Sequence, residues 1–183
     1  MTDANALPDA IDMSSADGVA FVKAKNDPAL WHEAAVATYS FVGDHHDFLP
    51  WLVQQPSMDR ATAGWLLLSI EGSRFLRGET SRFYSRIPDD KVVNLLSALC
   101  ERSERIGFQE NCAGVEEGFE EERRACLGVI AKGQVAPGIL APHAIVNKPF
   151  IVARSTSAYL VDDGVLVNKK IFEETFKEIG LRL

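Results

Sequence analysis

The sequence predicts a mainly α protein of the α+β class, with a small C-terminal β-hairpin and a terminal helix. Apolar residues repeat at helical spacing through most of residues 15–133, and capping residues precede several of these stretches. Prolines at 137, 142 and 149 then end the helical pattern, and β-branched residues become frequent. We therefore expect one compact domain over residues 15–183, with a hairpin-containing part at about 149–183, after a loose leader over residues 1–14.

Residues that commonly cap helices predict the first helical segments. Ser15 can begin the first helix, and Asp27 can cap a second helix that continues to about Phe41. A glycine and an aspartate then stop that helix. Asp47 can cap a short third helix that ends before Pro56.

The strongest helical signal is the stretch DRATAGWLLLSIEGSRFLRG, residues 59–78. An aspartate occupies its cap position and a glycine ends it. Because the stretch is apolar on most sides, we expect one central helix there.

Two further helices are predicted after a polar connector. Residues 88–107 begin with a proline and two acids, and their apolar residues keep to one helix face. Residues 115–133 repeat this pattern more weakly, because two glycines interrupt it. Cys100 and Cys126 fall on the apolar faces of these helices, where a thiol packs as a small hydrophobic group.

The last part of the chain is predicted to form a hairpin followed by a helix. In YLVDDGVLV, residues 159–167, the pair Asp163-Gly164 can form the tight turn between two apolar strands. Residues 150–154, FIVAR, are expected to add a third strand. Residues 169–180 have the spacing of an amphipathic helix.

The charge balance restricts the kind of partner. Nineteen basic and twenty-six acidic side chains give a formal net charge of −7, which disfavours nucleic acid and anionic membranes and suits a basic protein partner. The N-terminus lacks the pattern of a secretory signal, no apolar run could span a bilayer, and the three cysteines form no C-x-x-C pair. We therefore expect a cytoplasmic protein.

The segment GDHHD, ahead of the short third helix, is a candidate metal site. Asp44, His45, His46 and Asp47 carry metal-ligating groups, and His32 could supply a further ligand. Adjacent histidines point in different directions on a helix or a strand, so only one of them could join a shared metal. We therefore interpret the segment first as the polar start of a helix, and second as the centre of a metal-dependent, hydrolase-like enzyme.

The acidic run EEGFEEERR supplies the candidate binding residues. Glu116, Glu117, Glu120 and Glu121 should share one solvated helix face. Paired catalytic carboxylates need different environments, which such a face does not provide. The run is therefore interpreted as solvated, and a surface for a basic partner is the main alternative.

Motifs for a nucleotide cofactor or a serine nucleophile are absent from the sequence. The glycines form neither G-x-x-x-x-G-K nor G-x-G-x-x-G, and G-x-S-x-G does not occur. We therefore expect no cofactor and assign no catalytic residue.

Residues 39–76 combine an aromatic and acidic turn, a proline-bounded break, and the motif Asp59-x-x-Thr62-Ala63 at the start of an apolar helix. In these features the segment resembles a bacterial helical family known as domain of unknown function 4274. The family's turn usually carries a tryptophan and a glycine, whereas this chain has two histidines there. The resemblance implies a structural motif, in which Asp59 caps the helix and Ala63 allows close helix approach, and it implies no reaction.

A non-catalytic, protein-binding function fits these features best. Small acidic bacterial proteins of this broad kind are often immunity proteins that neutralise antibacterial toxins, and by this analogy the partner is a basic toxin. The alternatives are the metal-dependent enzyme and a structural homodimer. In the homodimer, Phe75, Phe83 and Tyr84 would be exposed and would form an apolar contact.

Overall fold

Helices predominate in the computed structural model, which describes residues 7–79, 86–110, 118–150 and 156–178. A small antiparallel sheet accompanies them, and the prediction of a mainly α protein of the α+β class is confirmed. The helices are α1 (Ala16–Ala24), α2 (Pro28–Ala37), α3 (Phe48–Val53), α4 (Arg60–Leu68), α5 (Gly72–Leu76), α6 (Asp89–Arg105), α7 (Phe119–Ala131), α8 (His143–Val146) and α9 (Lys169–Glu178). The strands are β1 (Ala10–Asp12), β2 (Tyr159–Asp162) and β3 (Val165–Asn168), and a π-helical turn (Thr38–Val42) follows α2.

Three predicted helix starts have the capping hydrogen bonds that the sequence indicates. The Ser15 hydroxyl accepts a hydrogen bond from the Gly18 amide at 3.0 Å, at the start of α1. The Asp27 carboxylate accepts from two amides of the first turn of α2, at 3.0 and 3.1 Å. Asp59 accepts from the Ala61 amide at 2.8 Å. These bonds satisfy amides that have no partner within their own helix, and so fix where α1, α2 and α4 begin.

The single central helix expected over residues 59–78 is wrong, because the chain breaks between α4 and α5. Glu71 adopts a left-handed conformation with φ of 53°, which a continuous helix does not allow. Gly72 then lies against the backbone of Leu67, where an added Cβ would be only 2.7 Å from the carbonyl oxygen. The glycine inside the apolar pattern therefore marks a turn of the chain.

The sheet has the strand order β1-β3-β2, with both pairs antiparallel. The predicted hairpin and its turn are confirmed, since Asp163 and Gly164 have φ of 44° and 87°, as a tight two-residue turn requires. The helix expected after the hairpin is α9. Of the third strand expected over residues 150–154, only residue 150 lies within the described part of the chain.

The strand β1 corrects the expectation of a loose leader over residues 1–14. Residues 10–12 pair with β3, and the side chains of Ile11 and Met13 are buried. These two apolar residues flank an aspartate, so they share one face of an extended chain, and the edge of the hairpin supplies the hydrogen-bond partners. The sheet therefore joins the two ends of the described chain.

Three buried arginines cross-link elements that are distant in the sequence. Arg60 on α4 donates to three carbonyl oxygens of residues 145–149. Arg102 on α6 donates to three carbonyl oxygens, one of them that of Val53 at the end of α3. Arg123 on α7 donates to one carbonyl oxygen of α8. Their exposed fractions are 5–7%. A buried guanidinium is tolerated when its donors have partners, so these side chains hold irregular backbone against the helices.

The core contains the two cysteines predicted to be buried, Cys100 and Cys126. Burial raises the pKa of each thiol to about 12, so both stay protonated at neutral pH and pack as apolar groups. Cys112 lies outside the described residues. In the part of the chain that the structure describes, no helix is both long and apolar enough to cross a bilayer.

Candidate functional site

The candidate site is a groove of about 210 Å³ between α3 and α6. Apolar side chains form most of its lining: Leu49, Pro50, Val53, Ile87, Leu95 and Ala98. The polar residues of the groove are Asp44, Asp47, Gln54, Lys91 and Asn94. An apolar depression with a few polar groups around it is the usual form of a binding site on a protein surface.

Asp44 fixes the start of α3, which forms one wall of the groove. Its carboxylate accepts hydrogen bonds from the amides of Phe48 at 2.7 Å and Leu49 at 3.1 Å, and the residue is only 7% exposed. The sequence assigned this capping function to Asp47, and that assignment is wrong. Asp47 is in the left-handed conformation with φ of 50° and makes no capping bond.

The Asp47 side chain instead belongs to an exposed ion pair at the groove. Its carboxylate lies 3.5 Å from the ammonium of Lys91 on α6, and the two side chains are 77% and 48% exposed. Lys23 of α1 donates to the backbone carbonyls of His46 and Asp47, at 3.1 and 3.3 Å. Lys23 therefore stabilises the left-handed turn at Asp47 through its backbone, and the Asp47–Lys91 ion pair remains exposed to water.

Arg102 joins the two walls of the groove at the C-terminal end of α3. Its guanidinium donates to the carbonyl oxygens of Val53 at 2.7 Å, Pro56 at 3.3 Å and Gly107 at 3.1 Å, and it stacks on Phe108. The Val53 carbonyl is at the end of α3, and the other two are in the segments that follow α3 and α6, so none of them has a hydrogen-bond partner within a helix. With Asp44 at one end of α3 and Arg102 at the other, the groove has fixed walls.

The histidines proposed as metal ligands have other surroundings. His46 makes a hydrogen bond of 3.0 Å to the Ser14 carbonyl, His45 is exposed, and His32 lies against α4 with its Nδ1 atom 3.1 Å from the Thr62 hydroxyl. Within residues 7–79, 86–110, 118–150 and 156–178, no three His, Cys, Asp or Glu side chains are grouped to hold a metal ion. The metal-site hypothesis therefore gains no support from the described geometry.

Burial makes His32 sensitive to acid. The side chain is 9% exposed, and desolvation lowers its pKa from 6.5 to about 4, although the nearby Asp59 carboxylate acts in the opposite direction. The imidazole is therefore neutral in the folded protein at neutral pH. In the unfolded chain it takes up a proton at a higher pH than in the folded protein.

We expect His32 to weaken the fold between pH 6.5 and pH 4. Because the unfolded chain binds the proton first, acidification through this range should remove roughly 3 kcal/mol of unfolding free energy. Urea unfolding at a series of pH values should show this slope for the natural chain and for His143→Gln, an exposed control. Over the same pH range, His32→Gln should lose roughly 3 kcal/mol less unfolding free energy than the natural chain does. An equal loss in His32→Gln would assign the pH dependence to other groups.

Among the described residues of the acidic run, Glu120 and Glu122 have partners within the protein and Glu121 does not face one. Glu120 accepts hydrogen bonds from Arg123 at 2.7 Å and Arg124 at 3.1 Å, and the bond from Arg123 is the main cause that lowers the Glu120 pKa to about 2. Glu122 accepts from the Ser73 amide at 2.7 Å. Glu121 is exposed. Two acids of the run therefore hold local structure rather than face a partner.

The first two acids of that run, Glu116 and Glu117, lie outside the described residues. Phe75 cannot take part in the expected homodimer contact, because it is 1% exposed and belongs to the core. The apolar side of α5 faces inward, and this burial corrects the expectation of an exposed aromatic residue. Phe83 and Tyr84 also fall outside the described part of the chain.

The motif at residues 59–63 has a structural role at the start of α4. Asp59 caps the helix, as expected, and Ala63 is fully buried. The Thr62 hydroxyl bonds to His32 on α2, so it links two helices. The motif therefore docks α4 against α2.

Several groove residues, including Lys91, Asn94 and Ala98, were not among the residues that sequence reasoning selected. They recur at helical spacing on α6 and are exposed or half-buried, but this pattern is also that of an ordinary solvated helix face. Only the packing of α3 against that face turns it into a groove.

Comparisons with family models, curated protein sequences and solved structures gave no match to this chain. The resemblance of residues 39–76 to domain of unknown function 4274 therefore stays a prediction.

Proposed function

We propose that this chain is a non-catalytic interaction protein that binds another protein through the groove between α3 and α6. The observation that carries the proposal is the size and lining of the groove. Sites for drug-sized ligands usually occupy about 300–1,000 Å³, whereas an apolar cavity of about 150 Å³ holds a benzene-sized group. A groove of about 210 Å³ therefore suits one large apolar side chain of a partner.

The carboxylates at the groove support binding rather than catalysis. Asp44 already accepts two backbone hydrogen bonds, and Asp47 already pairs with Lys91. A general acid–base pair needs carboxylates that are aimed at a substrate and held in different environments. These two acids instead shape the start of α3 and its connection to α6.

The formal charge of −7 favours a basic partner, because opposite net charges speed association. An antibacterial toxin is one basic protein of this kind. An immunity function is therefore the specific form of the proposal, and it rests on analogy with other small acidic bacterial proteins.

Filling the groove should abolish partner binding. Ala98 is half-buried in the groove, whereas Ala125 is exposed on α7, so Ala98→Phe and Ala125→Phe make the same change inside and outside the site. In pull-downs from the native cell at low salt, we expect the natural chain and Ala125→Phe to retain the same protein. Ala98→Phe should lose at least about 90% of it, equivalent to roughly 1.4 kcal/mol or more of binding free energy.

Two results would count against the proposal. Equal recovery with both phenylalanine variants would place the binding surface elsewhere on the molecule. Recovery of background proteins alone by the natural chain would remove the protein-binding function itself. Circular dichroism of both variants should match that of the natural chain, because each change is made on a solvent-accessible helix position.

A further inference from the structure

Exposed carboxylates flank the groove on the α6 side. Asn94 and Ala98 line the groove, and Glu101 follows Ala98 by three residues, so Glu101 lies about one turn beyond the groove lining on α6. Asp90 precedes the groove residue Lys91 by one position. Both Asp90 and Glu101 are exposed, and neither forms an ion pair with another residue in the described ranges.

At the end of the groove near Asp90, the exposed Asp47–Lys91 pair lies beside the lining, whereas Glu101 lies at the other end. Exposed ion pairs of this kind contribute little to stability, so a cation from a partner can replace Lys91 beside Asp47 at small cost. Ten residues separate Lys91 from Glu101, which corresponds to about 15 Å along a helix. The apolar groove therefore lies between the Asp47–Lys91 pair and Glu101, which is about three helical turns beyond Lys91 on α6.

We propose that the groove binds a basic amphipathic helix of the partner, with one apolar anchor residue between two Lys or Arg residues. The anchor enters the space between α3 and α6, and the cations pair with Asp47 and Glu101. Cations four residues before and after the anchor span about 12 Å along a helix, and their long side chains reach the remaining distance. This inference rests on the proposed function and specifies the chemistry of its partner.

A second copy of the chain fits the groove less well than a basic partner. Each copy has a formal charge of −7, and both would bring acidic surfaces together at this site. A basic helix instead neutralises the carboxylates at both ends of the groove while it buries an apolar residue. Charge complementarity therefore decides between the two occupants.

Three synthetic 15-residue peptides test the inference with the full chain. The first has a central leucine with lysines four residues before and after it, the second has glutamates in place of these lysines, and the third has alanine in place of the leucine. Amide NMR spectra of the isotope-labelled chain should show shifts in α3 and α6 with the first peptide. We expect the second and third peptides to bind at least about tenfold more weakly.

Two matched double variants assign the charge effect to the groove. Asp47→Asn with Glu101→Gln, and Glu121→Gln with Glu173→Gln, each remove two exposed carboxylates, but only the first pair lies in the groove or one helical turn beyond it. The first double variant should weaken the lysine peptide at least about fivefold, and the second should change its affinity by less than about twofold.

The inference is overturned if the glutamate peptide binds as tightly as the lysine peptide, if no peptide shifts the groove amides, or if both double variants weaken binding equally. These failures are distinguishable from failure of the proposed function. If Ala98→Phe loses the native partner, the groove is the binding site, whatever the peptide results are. The partner would then bind there by something other than a basic helix.

Discussion

Replacing Arg102 with alanine is expected to lower the free energy of unfolding by about 3–5 kcal/mol. The guanidinium is 5% exposed and donates to the carbonyls of Val53, Pro56 and Gly107, so its removal leaves three acceptors without a donor and opens a cavity beside Phe108. The C-terminal end of α3 would also lose its attachment to α6. Urea unfolding measured by circular dichroism gives the change directly.

Arg105→Ala is the matched control for this variant. Arg105 is exposed in the last turn of the same helix, and its loss should change the unfolding free energy by less than about 0.5 kcal/mol. If Arg102→Ala were no more destabilising than Arg105→Ala, the three carbonyl bonds would not hold the groove wall. The folded fraction of Arg102→Ala should also bind the native partner more weakly than the natural chain does.

Arg60→Ala is expected to give the second large effect, and should also lower the free energy of unfolding by about 3–5 kcal/mol. Arg60 donates to the carbonyls of Ile145, Lys148 and Pro149, pairs with Glu110 at 3.1 Å, and lies over the ring of Phe150. Removing it releases the segment after α8 from α4. Thermal and urea unfolding should both report the loss.

Lysine at the same position tests whether charge alone suffices. A single ammonium cannot reproduce the planar fork that reaches several carbonyls, so Arg60→Lys should recover only part of the lost stability. Arg124→Ala, on a side chain that is 74% exposed, should cost less than about 0.5 kcal/mol. Full recovery by lysine would show that the carbonyl contacts of Arg60 contribute little.

Local signals in the sequence predicted the parts of the fold that depend on neighbouring residues. Ser15, Asp27 and Asp59 cap their helices, and Asp163-Gly164 forms the hairpin turn, because each of these arrangements is decided within a few residues of chain. The broad division into a helical part and a C-terminal hairpin follows from the same local chemistry.

Features that depend on distant contacts were not predictable in this way. β1 needs the edge of β3, more than 150 residues away, and the burial of Arg60 and Arg102 depends on carbonyls from other segments. Asp44 and Asp47 are equally suited to capping by residue type, and only the left-handed turn at Asp47 decides between them. These outcomes are set by tertiary packing, which a single sequence does not specify locally.

The candidate site also depends on contacts between segments that are distant in the sequence. The GDHHD segment concentrates titratable side chains and so predicts a site, yet only Asp44 and Asp47 of that segment reach the groove. By residue type and spacing alone, Leu95 and Ala98 are ordinary positions on one face of an amphipathic helix. They became part of a site only because α3, more than forty residues earlier in the chain, packs beside them.

Photo-cross-linking in the native cell shows which surface of the chain lies against its partner. A photoreactive phenylalanine analogue is placed at Asn94, which is exposed in the groove, and in a second protein at Ala125, which is exposed on α7. The groove-binding account predicts a covalent adduct with one basic protein from position 94 and none from position 125. Equal labelling from both positions, or no adduct from position 94, would contradict it.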